Sequence, residues 1–243
     1  MSISKNELRH VGSLSQKKYR DETGLFVVEG EKLVAEAQAS GCEVIRVYRR
    51  DEVGDAAMAQ MSSLSSPSPV LAVVRQPQAL SGLPALSHGL YLALDGIRDP
   101  GNLGTILRVA DWFGIDGVFA SPDTVERFNP KVVQATMGAI FRVPYHTVDI
   151  PEFCRKVLSE GGKVFGTFLD GDNLYRKELD CGSVAPSVIV VGNESNGISK
   201  ETAACVSDRL FIPPYPADDP GSESLNAAVA TAITVAEFRR RSF

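Results

Sequence analysis

Short apolar runs alternate with segments of helical periodicity along most of this chain, and this alternation limits the folds open to it. Short apolar runs are typical of buried strands, whereas apolar residues spaced three and four apart indicate helices. Strands that alternate with helices form mostly parallel sheets, so the sequence predicts the α/β class. In the C-terminal part, strands are predicted at 90–94 (closing on Asp95), 117–121, 163–169, 187–192 and 209–213, and helices at 102–113, 130–140 and 223–241.

The N-terminal part shows the same alternation on a smaller scale. Strands are predicted at 25–30, 44–49 and 70–74, and a helix at 31–40. Two stretches rich in Pro, Ser and Gly interrupt the pattern, at 62–69 and 76–89. The first is interpreted as a loop because a predicted strand follows it, and the second is the better linker. We therefore predict two domains, residues 1–85 and residues 86–243.

The charge distribution bears on nucleic acid as a partner. The net charge is −5, which argues against a protein that coats nucleic acid through a uniformly basic surface. Residues 1–85 contain ten basic and ten acidic residues, so the acidic excess lies in the rest of the chain. Residues 17–20 (KKYR) form a compact basic cluster, which is either a solvated charged face or an RNA contact.

Metal, membrane and secretion signals are weak in this sequence. The four cysteines and three histidines are dispersed and lack the spacing of metal ligands, so we expect no metal. The N-terminus has no apolar stretch of the secretory type, and no apolar run approaches the length of a membrane span. The expected location is the cytoplasm, with no membrane partner.

Polar and glycine residues follow the predicted strand that ends at Asp95. In open α/β sheets, ligands bind beyond the carboxyl ends of the strands. Asn102 opens the next predicted helix, where its side chain is either the N-cap or part of a site. Gly104 costs the helix about 1 kcal/mol relative to Ala, which a close backbone approach would explain. Arg108 either contacts a ligand or bridges nearby carboxylates.

The predicted strand at 187–192 runs into a second polar segment with Gly192, Glu194 and Gly197. The two glycines have the spacing of a Walker loop, but Ile198 stands where that loop needs lysine. No G-x-G-x-x-G occurs either. These absences argue against a nucleoside triphosphatase and a dinucleotide-binding enzyme. Glu194 itself is either a site residue or the partner of an arginine.

A third polar segment follows the predicted strand at 209–213. A proline-rich loop leads to the sequence SLN at 224–226, which opens an alanine-rich helix. Ser222 or Ser224 is the predicted N-cap of this helix. The segment is either a capped terminal helix behind an ordinary loop or part of a binding site.

In this order, the three segments resemble the motifs of the SpoU–TrmH family of RNA methyltransferases. Residues 129–145 also look like the family's connection between its first two motifs, and the match covers about residues 90–243. The loop 213–224 departs from the family in its length and in the acidic pair Asp218 and Asp219. The matching positions are N-x-G-x-x-x-R at Asn102, Gly104 and Arg108, G-x-E-x-x-G at Gly192, Glu194 and Gly197, and I-P with S-L-N at Ile212, Pro213, Ser224, Leu225 and Asn226.

The resemblance implies a parallel α/β domain of the SPOUT type, whose C-terminal chain threads a deep trefoil knot. Periodicity alone gives no sign of a knot, and knots are rare. The resemblance also implies a homodimer with sites near the interface and S-adenosylmethionine as cofactor. The main chain around Gly192, Ile212 and Leu225 would hold that cofactor, and Thr167 and Phe168 would flank its adenine.

The implied reaction is methylation of a ribose 2′-hydroxyl in ribosomal or transfer RNA. The resemblance assigns the essential role to Arg108. Arginine is effectively always protonated, so it acts either as an unusual base or as a donor that orients the hydroxyl or its phosphate. The resemblance also implies that four further residues support the site, namely Asn102, Glu194, Ser224 and Asn226.

The N-terminal residues 17–37 resemble the substrate-binding domain common in this family, a small ribosomal-protein-like RNA-binding fold. Two other functions stay open from the sequence. One is an RNA-binding relative that has lost catalysis, against which the intact motifs argue. The other is an enzyme of a different class, such as an oxidoreductase or a nucleotide-dependent transferase.

Overall fold

The computed structural model describes residues 3–78, 83–216 and 223–242. The chain forms two compact units, and the first is built from two separate segments. Met1–Gln78 and Glu126–Arg142 form the N-terminal unit, and Ala79–Val125 and Val143–Phe243 form the C-terminal unit. Residues 126–142 thus interrupt the sequence of the C-terminal unit but pack with the N-terminal residues.

The described helices and strands include each predicted one, and they add six helices and two strands that the sequence did not predict. The helices are α1 (Lys5–Ser13), α2 (Lys17–Thr23), α3 (Glu31–Ala39), α4 (Arg50–Val53), α5 (Asp55–Met61), α6 (Pro100–Trp112), α7 (Pro130–Thr136), α8 (Ile150–Ser159), α9 (Lys200–Ala203) and α10 (Ala227–Arg240). The strands are β1 (Leu25–Glu29), β2 (Val44–Arg49), β3 (Val70–Arg75), β4 (Gly89–Asp95), β5 (Gly117–Ala120), β6 (Tyr145–Thr147), β7 (Lys163–Phe168), β8 (Asp172–Asn173), β9 (Pro186–Gly192) and β10 (Asp208–Phe211).

The N-terminal unit is an antiparallel sheet in the order β1-β3-β2 with helices on both faces. Side chains alternate between the two faces of a strand, and β3 is buried on both. Val70, Ala72 and Val74 join a core with α3 and α7, while Leu71 and Val73 join a second core with α1 and α5. The first core includes Phe128, Val133 and Ile140 from the second segment of this unit, which is why that segment belongs to it.

Arg20 ties the two segments of the N-terminal unit together. Its side chain is 2% exposed, and its guanidinium forms an ion pair with Glu126 and donates to the carbonyls of Leu14 (2.8 Å) and Ser15 (2.9 Å). The prediction that residues 17–20 form a basic cluster, as a solvated face or as an RNA contact, is therefore wrong for Arg20. Helix α2 turns this position inward, and its partner lies far along the chain, so the local sequence gave no sign of the pair.

The C-terminal unit contains a seven-stranded parallel sheet in the order β6-β5-β4-β9-β7-β10-β8. The central strand β9 is buried along its whole length, as expected for a parallel strand covered on both faces. Helices α6 and α10 pack together, and α8 packs on β4, β7 and β9. The predicted α/β class with a parallel sheet is confirmed.

Three local predictions for this half of the chain need correction. The helix predicted at 130–140 stops at Thr136, where Met137 adopts a left-handed conformation, and a 3₁₀ turn follows at Ala139–Phe141. The last helix begins at Ala227 rather than 223. Its N-cap is Asn226, whose Oδ1 accepts from Ala228 N at 2.9 Å, so Ser224 does not cap it. Ser222 lies outside the described residues.

Candidate functional site

The three polar segments follow β4, β9 and β10, which run parallel in one sheet, so they emerge at the same edge. This edge is where α/β sheets bind ligands. A shallow pocket lies at the ends of β4 and β9, with Asp95, Arg98 and Asp123 in its lining. The sheet therefore brings together at least the first two segments, and side-chain hydrogen bonds join them to the third.

Asp99 caps the start of α6, so the side chain of Asn102 is not needed as the N-cap. Asp99 is the N-cap, and its Oδ1 accepts from Asn102 N at 2.7 Å, with Pro100 at the first helical position. The helix thus begins two residues before the predicted start, and Asn102 is not its cap. The Asn102 side chain is buried and donates through Nδ2 to Glu194 Oε1 at 2.9 Å.

Glu194 is held by main-chain donors rather than by an arginine side chain. Its carboxylate accepts from the backbone N–H groups of Arg98 (3.3 Å) and Asp99 (3.2 Å) as well as from Asn102. Partial burial raises the pKa of Glu194, but these hydrogen bonds outweigh burial and hold the pKa below its ordinary value. Glu194 therefore carries a fixed negative charge beside the start of α6.

Asn226 joins the third segment to the other two. Its Oδ1 caps α10, and its Nδ2 donates to Asn102 Oδ1 at 2.8 Å. A continuous chain of hydrogen bonds therefore runs from Asn226 through Asn102 to Glu194. Ser224 is exposed and makes no hydrogen bond to any residue that the structure describes.

The turn after β9 explains the two glycines of the second segment. Asn193 and Gly197 pair across a tight hairpin, and Gly197 has a φ of +68°, which favours glycine. A Cβ on Gly192 would overlap the main-chain carbonyl carbon of Gly197. Both glycines are thus needed to fold the hairpin that carries Glu194, which is a structural role.

The predicted cofactor residues lie around the ends of β7 and β10. Thr167 Oγ1 donates to Val190 O at 3.2 Å. The guanidinium of Arg209 lies 3.5 Å from the ring centroid of Phe168, so one face of this ring is already covered. Ile212 is half-buried, whereas Leu225 is exposed at the start of α10.

Arg108 is not part of the hydrogen-bonded chain. It is exposed on α6, on the side that also carries Thr105 and Trp112, and it forms no ion pair with any described residue. It therefore does not bridge carboxylates there. Helix geometry places it about 9 Å along the axis from Asn102 and about a third of a turn away. Within one chain, Arg108 and Asn102 project in different directions.

Sequence reasoning missed Arg98 and Asp99, whose backbone amides hold Glu194. One signal was present: Asp followed by Pro predicts an N-cap with proline at the first helical position. In the part of the chain that the structure describes, no cluster of His, Cys, Asp or Glu is placed to hold a metal, and no helix is suited to span a bilayer. Asp218 and Asp219 lie outside the described residues.

Comparison with known protein families identifies the family to which these three motifs belong. The model of the SpoU rRNA methylase family matches residues 89–236, more than half of the chain. The chain belongs to this family. A second model, of the MRM3-like substrate-binding domain, matches residues 5–76. The predicted membership of the family is confirmed.

Individual members of the SpoU family resemble the chain over its whole length. The 23S rRNA (guanosine(2553)-2′-O)-methyltransferase RlmP of Bacillus subtilis is 30% identical over 98% of both chains. An AdoMet-bound rRNA methyltransferase from Sinorhizobium meliloti is 30% identical, with a TM-score of 0.87 over 100% of this chain and 98% of that one. A TrmH-family protein from Porphyromonas gingivalis is 37% identical, with a TM-score of 0.85 over 98% and 99%.

Proposed function

We propose that this protein methylates a ribose 2′-hydroxyl of ribosomal RNA with S-adenosylmethionine as the methyl donor. The observation that carries the proposal is the hydrogen-bonded chain of Asn226, Asn102 and Glu194, which links all three family motifs through side chains. Ribosomal RNA is favoured over transfer RNA because the full-length relative RlmP is named for a 23S rRNA guanosine.

The segments around the motifs fit S-adenosylmethionine. The backbone groups of Ile212, Ser224 and Leu225 make no hydrogen bond to any described residue, so they are free to bind the cofactor's polar atoms. The exposed Leu225 side chain offers an apolar surface beside them. When bound, this cofactor supplies a methyl group made electrophilic by the adjacent sulfonium. Gly192, Thr167 and Phe168 stay predictions for the same site.

The polar residues have the task of aligning the ribose and easing the loss of its hydroxyl proton. Asn102 and Asn226 are fixed by each other and by Glu194, so their side chains form a preorganised polar surface. Arg108 is assigned as the donor that holds the hydroxyl or its phosphate, because a group that stays protonated stabilises a forming alkoxide better than it removes a proton. Ser224 is assigned a supporting contact.

The site belongs to a homodimer in this proposal. Two features support it. The packed helices α6 and α10 carry exposed apolar side chains, including Trp112 (85% exposed) and Val229 (48% exposed). Arg108 lies on the same exposed side of α6 as Trp112, about a third of a turn from Asn102 of its own chain, and we assign it to the site of a second copy. The likeness to TrmH-family structures supports a trefoil knot, and the bacterial relative RlmP supports a cytoplasmic location.

The test is transfer of a labelled methyl group to unmodified 23S rRNA transcribed in vitro, followed by mapping of ribose methylation. We expect one methylated ribose with the wild-type protein and at least ~100-fold slower turnover with Asn102→Ala. Ser195→Ala is the control, because Ser195 is exposed in the same hairpin after β9 but lies outside both the hydrogen-bonded chain and the pocket lining. A protein that binds the RNA and the cofactor without methyl transfer would be a non-catalytic relative, and the proposal would be wrong.

A further inference from the structure

A polar groove crosses the N-terminal unit on the surface formed by α1, α2 and α5. It is shallow and largely open to solvent, with a volume of about 370 Å³. None of the three SpoU family motifs lies in it. Its lining includes Leu8, Arg9, Gly12, Gln16, Tyr19 and Gln60.

The groove depends on a close approach of two helices. A Cβ on Gly12 would lie 2.6 Å from the main-chain oxygen of Gln60, so only glycine lets α1 come this near to α5. Gln16 and Gln60 both line the groove and have exposed side chains, and neither carboxamide makes a hydrogen bond to any described residue. The groove thus presents donors and acceptors that its own walls leave unsatisfied.

An aromatic ring and unpaired positive charge complete the lining. Tyr19 is 36% exposed, and Lys18 beside its ring is paired with Glu22 at 3.9 Å, so Lys18 is not the unpaired charge. Arg9 forms no ion pair with any residue that the structure describes. The acid nearest to it on α1, Glu7, is already bound by Arg46 (2.6 Å) and by the Tyr48 hydroxyl (2.8 Å). The groove therefore favours an anionic ligand.

We propose that this groove binds one unpaired nucleotide of the RNA substrate. The Tyr19 ring provides a stacking surface for the base, Gln16 and Gln60 contact its hydrogen-bonding edge, and Arg9 contacts the phosphate. Unpaired RNA bases are recognised through this combination of aromatic stacking, edge contacts and backbone charge. The proposal rests on the proposed function, because it takes RNA as the substrate. It places a contact for that RNA in the N-terminal unit, outside the methyl-transfer site.

The experiment uses the full-length protein and the unmodified 23S rRNA transcript. Binding is measured without cofactor by filter retention, and methylation is measured separately as kcat and KM for the RNA. Tyr19→Ala is expected to weaken RNA binding at least ~5-fold and to raise KM by a similar factor, with kcat within twofold. Tyr19→Phe keeps the ring and is expected to bind within twofold of the wild type.

Arg9→Gln tests the phosphate contact. It is expected to lower the slope of log affinity against log salt by about 1, because one phosphate contact is lost. Arg49→Gln is the matched control, since Arg49 is an exposed arginine of the same unit outside the groove. Thermal unfolding and cofactor affinity are measured on every variant to show that each is folded.

The outcomes separate the two proposals. Unchanged RNA affinity and KM in folded Tyr19→Ala and Arg9→Gln proteins would overturn the groove as an RNA contact, even if methylation is normal. An equal loss in Arg49→Gln would also overturn it, because the effect would then be one of general charge. A wild-type protein without methyl transfer would instead refute the proposed function, while the binding measurements would still decide the groove.

Discussion

The contribution of the hydrogen bond between Asn102 and Glu194 to stability can be tested by replacing one side-chain nitrogen with oxygen. Asn102→Asp keeps the size and shape of the side chain and keeps an oxygen that accepts from Asn226 at 2.8 Å. It replaces the Nδ2 donor, 2.9 Å from Glu194 Oε1, with an oxygen that carries charge. The substitution therefore removes one contact and adds one repulsion without opening a cavity.

The size of the effect follows from these contacts. A hydrogen bond to a charged group contributes about 1.5–3 kcal/mol. Two like charges about 4 Å apart repel by about 4 kcal/mol at an effective dielectric constant of about 20, and the solvent around the exposed Glu194 reduces this. Because the two effects overlap and the carboxyls respond by binding protons, we expect about 3 kcal/mol less stability at pH 7 and low salt.

The pH dependence has a defined sign. In the wild type, the lowered pKa of Glu194 means that its contacts stabilise the fold above about pH 4.3, the unfolded value, and that this contribution is lost as pH falls through the folded pKa. In Asn102→Asp the repulsion raises the folded pKa of the carboxyl pair instead. The stability difference between the two proteins should therefore be largest at neutral pH and already smaller at pH 4, because the raised pKa lets the carboxyl pair bind a proton as the pH falls.

The assay is urea unfolding of four proteins: wild type, Asn102→Asp, Glu194→Gln and the double variant, at pH 7 and pH 4. Removing the charge of Glu194 should restore part of the stability that Asn102→Asp loses, giving a coupling of at least ~1 kcal/mol. Asn196→Asp controls for the added charge on the same edge of the sheet. A coupling below about 0.5 kcal/mol, or a stability loss that is the same at both pH values, would refute the reasoning.

Four further predictions concern other parts of the molecule. Arg108→Ala is expected to stay folded, bind S-adenosylmethionine and lose most single-turnover methylation, with poor rescue by Arg108→Lys because lysine lacks the planar fork; near-normal turnover would contradict its assignment. Arg20→Ala should destabilise the protein by about 3 kcal/mol in urea unfolding, because Glu126 is left without its buried partner; a loss under 1 kcal/mol would be inconsistent with the ion pair. Ser187→Ala should raise the free energy of unfolding by about 1 kcal/mol, since the Ser187 hydroxyl is buried and has no hydrogen-bond partner among the described residues; a loss of stability would argue against this. Chelator treatment should leave S-adenosylmethionine binding unchanged in calorimetry, and loss of binding would show that a metal is required.

Eight of the ten described strands were predictable, most of them because burial on both faces leaves an apolar run in the sequence, whereas β6 and β8 are too short to give a signal. β9 and β3 are the best examples, since almost every residue in them is buried. Helix α8 was missed although Ile150, Phe153 and Val157 follow the helical period. Its signal is only ten residues long and lies between the predicted helix at 130–140 and the predicted strand at 163–169.

The site was predictable as a set of residues but not as a geometry. The family motifs named Asn102, Glu194 and Asn226, and the structure joins them by two hydrogen bonds. No local pattern shows that Asn102 contacts residues 92 and 124 positions away. Likewise, no local pattern shows that Arg20 is buried against Glu126, because such pairs form only when distant segments pack.

The divided N-terminal unit has a consequence for how the chain is made. A ribosome that has delivered residues 1–78 has not yet delivered Phe128, Val133 or Ile140, which complete the apolar core around Phe26. The counter-ion of Arg20 is also still missing at that stage. Domains of nascent chains usually fold in order of synthesis, but this unit cannot close until Arg142 has emerged. Its apolar surface therefore stays partly exposed to solvent while β4, α6 and β5 of the second unit are already leaving the ribosome.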